Sequence, residues 1–151
     1  MNVAMKMYLI VLGDRQRGRM FTFGEGEIVR SLELINDDAP QKVKNGENTW
    51  DAQDKIFRHI EDHLHRHLVK VTEAAREFVK KEKIRGVIIG GHKPLFSKIE
   101  SEMRYPLSKK VLGKFVTELK VPTKEIVARV KEAISEIEAL ETENMLQQSL
   151  R

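Results

Sequence analysis

Cysteine is absent from this 151-residue chain. That excludes disulfides, a thiolate nucleophile and every cysteine-type zinc site. No run of about 18 consecutive apolar residues occurs, so the sequence offers no membrane-spanning helix. Proline is scarce, and the four present (Pro40, Pro94, Pro106 and Pro122) all fall outside the longest periodic stretch. Neither sign of charge dominates: 27 basic side chains stand against 23 acidic ones, a net of +4. So mild an excess suits a nucleic-acid or ribosomal partner, and equally a plain mixed-charge surface. The N-terminus lacks a small-residue cleavage site after an apolar core. It reads as a first strand and not as a secretion signal. With no cysteine, the expectation is a cytoplasmic protein without membrane contact.

What is present is organised around residues 50–83. Apolar residues recur there at Ile56, Phe57, Ile60, Leu64, Leu68, Val71, Ala75 and Phe78. Spacings of three and four set one apolar stripe along a long helix. The opposite face carries Arg58, His59, Asp62, His63, Arg66, His67 and Lys70. A helix of this length is expected to overhang a small sheet.

Before the helix, residues 7–12 are a continuous apolar run, as in a strand buried on both faces. Residues 19–23 pair with it as a hairpin, and residues 28–35 form a third strand with Ile28, Leu32 and Leu34 in step. A polar loop, residues 36–49, follows. After the helix come a short apolar strand over residues 85–91 and a short helix over residues 94–103. A fifth strand over residues 111–119 and a last helix from 124 to about 143 close the chain. The order βββαβαβα predicts an α/β fold. A mixed five-stranded sheet starts as an antiparallel meander, continues by parallel crossovers and is flanked by helices. One domain is expected over residues 1–143, with residues 144–151 as a frayed tail.

Several constellations bear on function. His59, His63 and His67 lie at i, i+4 and i+8, and two histidines one turn apart can chelate a divalent metal. The sequence lacks the HExxH pattern, because Ile60 stands where the catalytic Glu would be. Arg58, Arg66 and Lys70, with His59 and His63, can instead track phosphates. Arg15, Arg17 and Arg19 make a second small basic cluster in the first turn. Trp50, at the helix entry, either stacks on a base or anchors the loop. Gly90 and Gly91 with His92 form a strand-to-helix junction that matches no complete phosphate-binding motif. No cofactor is implied.

Four segments carry a resemblance. They are the strand-turn-strand YLIVLGDRQRGRMFTFGEGEI, the helix opening AQDKIFRHIEDHLHRHLVKVTEAA, the strand RGVIIGG, and VLGKF followed by PTKEIVARV. In order and spacing they resemble the middle domain of the archaeo-eukaryotic peptide-chain release factors and Pelota, and more closely its stand-alone bacterial relatives. The resemblance spans residues 7–140. It implies a translational role with the ribosome, ribosomal RNA or transfer RNA as partner. In release factors a Gly-Gly-Gln loop ahead of the long helix helps water attack the peptidyl-tRNA ester. Here the equivalent segment reads Lys44, Asn45, Gly46, Glu47, Asn48, Thr49, Trp50, Asp51, Ala52, Gln53, with no glycine pair before Gln53. The expectation is a ribosome- or RNA-binding protein without Gly-Gly-Gln-type hydrolysis. Its site would be Lys44, Asn45, Gly46, Trp50, Arg58, His59, His63, Arg66 and Lys70. If hydrolysis persists, Gln53 is the residue to position water. The alternatives are a metal-dependent enzyme on the histidine-rich helix and a protein-interaction module.

Overall fold

The computed structural model describes residues 6–35 and 50–149. Strands β1 (Tyr8–Gly13), β2 (Arg17–Gly24) and β3 (Glu27–Ile35) come first, followed by helix α1 (Trp50–Phe78) and strand β4 (Gly86–Gly91). Helix α2 (Phe96–Glu102), strand β5 (Val111–Val116) and helix α3 (Thr123–Ser149) complete the order. The α/β class, the βββαβαβα order and the mixed sheet are as the pattern predicts. The strands lie β3-β2-β1-β4-β5; β1 is antiparallel to β2 and parallel to β4, and β4 is parallel to β5.

Every residue of β1 and of β4 is buried. These two strands sit mid-sheet with helices on both faces, which is why their sequences are unbroken apolar runs. On one face Leu9, Val11, Met20, Val87 and Ile89 pack against Leu64, Leu68, Val71 and Ala75 of α1 and Ile99 of α2. On the other, Tyr8, Ile10, Leu12, Phe21 and Phe23 meet Ile126, Val130 and Ile137 of α3.

Gly18, in β2, sets how closely α1 approaches. A β-carbon there would lie 2.4 Å from Cγ2 of Val71, so the helix rests directly on strand backbone. Gly91 has φ of +125°, and a β-carbon on it would come within 2.4 Å of the Gly13 carbonyl oxygen. Only glycine closes the paired ends of β1 and β4 in this way.

One register and three boundaries differ from the sequence pattern. β3 is not one in-step strand, because its register against β2 slips between Thr22 and Phe23. Phe23 pairs with Ile28 and Thr22 with Arg30, so Val29 is an extra residue and the pleat reverses across it. Ile28 therefore packs with the α3 cluster and Leu34 with the α1 cluster, while Leu32 stays 39% exposed. Helix α1 stops at Phe78, short of residue 83. There Arg30 donates to the Phe78 carbonyl at 2.6 Å, and the chain turns so that Val79 and Ile84 enter the core. β5 ends at Val116 rather than 119. Helix α3 runs past residue 143 to Ser149. No Gly or Pro interrupts its last turns, which are rich in good helix formers. The loop 36–49 lies outside the described residues.

Candidate RNA-facing site

Helix α1 has 29 residues, about 43 Å at ~1.5 Å per residue, whereas a six-residue strand spans only about 20 Å. The surplus lies at its N-terminal end. The first described contacts with the sheet come at Leu64, His67 and Leu68. Beside them the described ties of α1 are to α2, where Lys98 reaches Glu61 at 3.2 Å and His65 reaches Glu102 at 3.5 Å. Fourteen residues of α1, 50–63, precede its first described contact with the sheet.

Arg58, His59, Arg66 and Lys70 are exposed and His63 is half-buried. His59, His63, Arg66 and Lys70 stand at i, i+4, i+7 and i+11, which is one helix face. The expected basic flank is therefore a continuous solvent-facing ridge. Asp62 stands beside it, while Glu61 is engaged by Lys98. Side chains of long reach and positive charge on a projecting rod suit contact with phosphates.

The three-histidine stripe does not hold together. The rings of His59 and His63 meet edge to face, with centroids 4.5 Å apart. His67 turns away and is 1% exposed. Its Nε2 lies 3.1 Å from the Arg17 carbonyl oxygen. A carbonyl only accepts, so Nε2 carries the hydrogen and donates it. No group of three or more His, Cys, Asp or Glu suited to a metal occurs among the described residues.

The His67 bond is something the sequence pattern missed. It fixes the β1–β2 turn beside α1 at the level where the helix leaves the sheet. Within that turn the Asp14 carboxylate accepts from the backbone N–H groups of Gln16 and Arg17. Arg15 is exposed and Arg17 half-buried; Arg17 is in step with Arg19 along β2, on the face away from α1. The third member of that arginine cluster, Arg19, donates to Thr123 Oγ1 at 3.0 Å, on the α3 side. A buried histidine within an otherwise polar helix face was the available signal.

Of the other expected site residues, Lys44, Asn45 and Gly46 lie outside the described residues. Trp50 and Gln53 fall in the first turns of α1, and their side chains lie outside the description. The perturbed ionisations lie at the far end of the sheet. Burial raises the pKa of the Tyr8 phenol. Hydrogen bonding to Tyr8 and to Glu141 raises that of Arg85.

Comparison with known proteins agrees with this fold. The model of bacterial archaeo-eukaryotic release factor family 10 matches residues 3–135. The crystal structure of an archaeal translation termination factor superposes with a TM-score of 0.54 at 15% identity, covering 92% of this chain and 42% of that one. A structure described as an archaeal protein gives 0.56 at 16% identity, covering 95% and 40%. At such identities the likeness is one of fold, and the chain spans about two-fifths of those proteins' length. No curated protein matches. The family match covers most of the chain, which therefore belongs to bacterial archaeo-eukaryotic release factor family 10.

Proposed function

We propose that this member of bacterial archaeo-eukaryotic release factor family 10 binds the ribosome, or ribosomal or transfer RNA, through the basic face of α1 from Arg58 to Lys70, and does so without Gly-Gly-Gln-type peptidyl-tRNA hydrolysis. The observation that carries this is the basic ridge of Arg58, His59, His63, Arg66 and Lys70 along the side of α1 turned away from the sheet. Lys44, Asn45, Gly46 and Trp50 precede or open that helix and extend the same contact. No described helix is long and apolar enough to cross a membrane, and a translational role places the protein in the cytoplasm.

Loss of hydrolysis rests on the sequence. Ester hydrolysis by an amide-positioned water needs a backbone that approaches the substrate closely, which paired glycines allow. The nearest glycine before Gln53 is Gly46, and Glu47 and Asp51 bring negative charge toward the phosphates. Gln53 remains the one candidate for positioning water.

Co-sedimentation with ribosomes across a salt series tests the reading. Binding through phosphates falls steeply between about 50 and 200 mM salt. The Arg58→Glu, Arg66→Glu variant should lose it. Absence of binding at low salt would sink the proposal. Peptidyl-tRNA hydrolysis that Gln53→Ala abolishes would overturn only its non-hydrolytic part.

A further inference from the structure

Strand β3 is one rim of the sheet, so among the described residues its outer backbone groups pair with no strand. A strand of nine residues left open on one side is a template for another strand. β3 also exposes three large apolar side chains: Val29 at 45%, Leu32 at 39% and Ile35 at 57%. A rim this apolar is one that monomeric sheets ordinarily guard with charge.

The spacing of the three selects what covers them. Val29 and Ile35 lie three residues on either side of Leu32. Two antiparallel strands related by a two-fold axis normal to the sheet set each residue opposite its mirror position about the residue on the axis, and on the same face. With Leu32 on the axis, Leu32 meets Leu32, and Val29 meets Ile35 of the second copy. The bulge preserves this match. Alternation back from Arg30, which reaches the end of α1, sets Val29 on the α3 side. Ile35 is on that side too, because it pairs with Arg17, in step with Phe21 of the α3 cluster.

The polar positions agree with this register. Ser31 comes opposite Glu33, whose carboxylate accepts from the Ser31 hydroxyl. Arg30 comes opposite Leu34, and its charge is already met by Glu82. No other centre within residues 30–34 does so. One at Arg30 or Glu33 sets like charges face to face. One at Ser31 sets Leu32 opposite Arg30 and Val29 opposite Glu33, and one at Leu34 sets Ile35 opposite Glu33. The far rim supplies the contrast. β5 exposes Leu112 and Val116, but the residue midway between them is Lys114, so self-pairing there opposes two ammonium groups. A strand from an unrelated protein requires no symmetry in β3. The match of β3 to itself points to a second copy of this chain.

We propose that two copies of this chain pair β3 to β3, antiparallel and centred on Leu32, joining their two sheets into one. The interface is a single strand pair over residues 29–35, which is small, so the dimer is weak, with a Kd on the order of 10–100 μM. The basic ridge belongs to α1, and the pairing does not depend on the ribosomal reading.

Sedimentation equilibrium of the full chain from about 5 to 500 μM, a span that brackets this Kd, tests the pairing. A monomer–dimer equilibrium is expected. Leu32→Lys, at a half-exposed position, should raise the dimer Kd at least about tenfold and leave the denaturant midpoint near that of the parent. Leu112→Lys on β5 should leave the Kd unchanged. Cysteine variants check the register, because the chain has no cysteine of its own. Under mild oxidation Leu32→Cys should cross-link two copies, since directly opposite Cα atoms lie about 4.5–5.5 Å apart, within disulfide reach. Ser31→Cys should not, because its two copies stand about 8 Å apart. A chain that stays monomeric at the highest concentration overturns the proposal. So does a dimer that Leu32→Lys leaves intact, or cross-linking as fast through Ser31→Cys as through Leu32→Cys.

Discussion

The two halves of α1 are the same helix under opposite constraints. From Leu64 to Phe78 it lies on the sheet, with Val71 against the bare backbone of Gly18 and Leu68 1% exposed. From Trp50 to His63 no described contact joins it to the sheet, and its described basic residues face solvent. The packed half is held by tertiary contacts. The projecting half continues the same backbone hydrogen bonding because it is attached to the packed one, and nucleation has already been achieved. Residue choice in the projecting half is thereby released from the core and available for a partner. His67 stands at the boundary, buried like the first half and polar like the second.

Substitutions across that boundary should separate stability from binding. The largest expected loss of stability is at Leu68→Ala, about 2–5 kcal/mol from lost burial and the cavity left behind, read as a fall in denaturant midpoint. Gly18→Ala comes next, at about 1–3 kcal/mol, because its β-carbon meets Val71. Val71→Ala should relieve part of that, giving a coupling of at least about 0.5 kcal/mol in a double-mutant cycle. Additive effects would show that the helix does not rest on Gly18. His67→Phe should cost about 1 kcal/mol through the lost bond to Arg17. Ribosome affinity should stay within about twofold, since no member of the ridge is touched. A large loss of affinity would show that the ridge depends on the His67 bond.

The same boundary marks what the sequence discloses. β1 and β4 are legible because burial on both faces leaves an unbroken apolar run. The packed half of α1 is legible because the sheet imposes a helical stripe. The bulge at Val29 is not, since it arises from pairing with β2 and leaves the alternation of Ile28, Leu32 and Leu34 looking regular. The basic ridge could be read from spacing alone, for all its members share one helix. Joining the Asp14–Arg17 turn to α1 required the fold, because His67 and Arg17 are 50 positions apart.

The smallest stability change should accompany the largest binding change. Arg58 and Arg66 are exposed and appear in no ion pair of the described residues. Replacing both with Glu should leave stability within about 0.5 kcal/mol, since no packed contact is lost. The pair reverses charge at two places on the ridge, so phosphates that were attracted are repelled. Binding at low salt should then fall by an order of magnitude or more, and the dependence of what remains on salt should flatten. If the variant unfolds more easily by 2 kcal/mol, Arg58 or Arg66 is packed against something and the ridge is not a free surface. If it binds as tightly as the parent, the division stands, and the ridge is a solvated surface whose charge no partner reads.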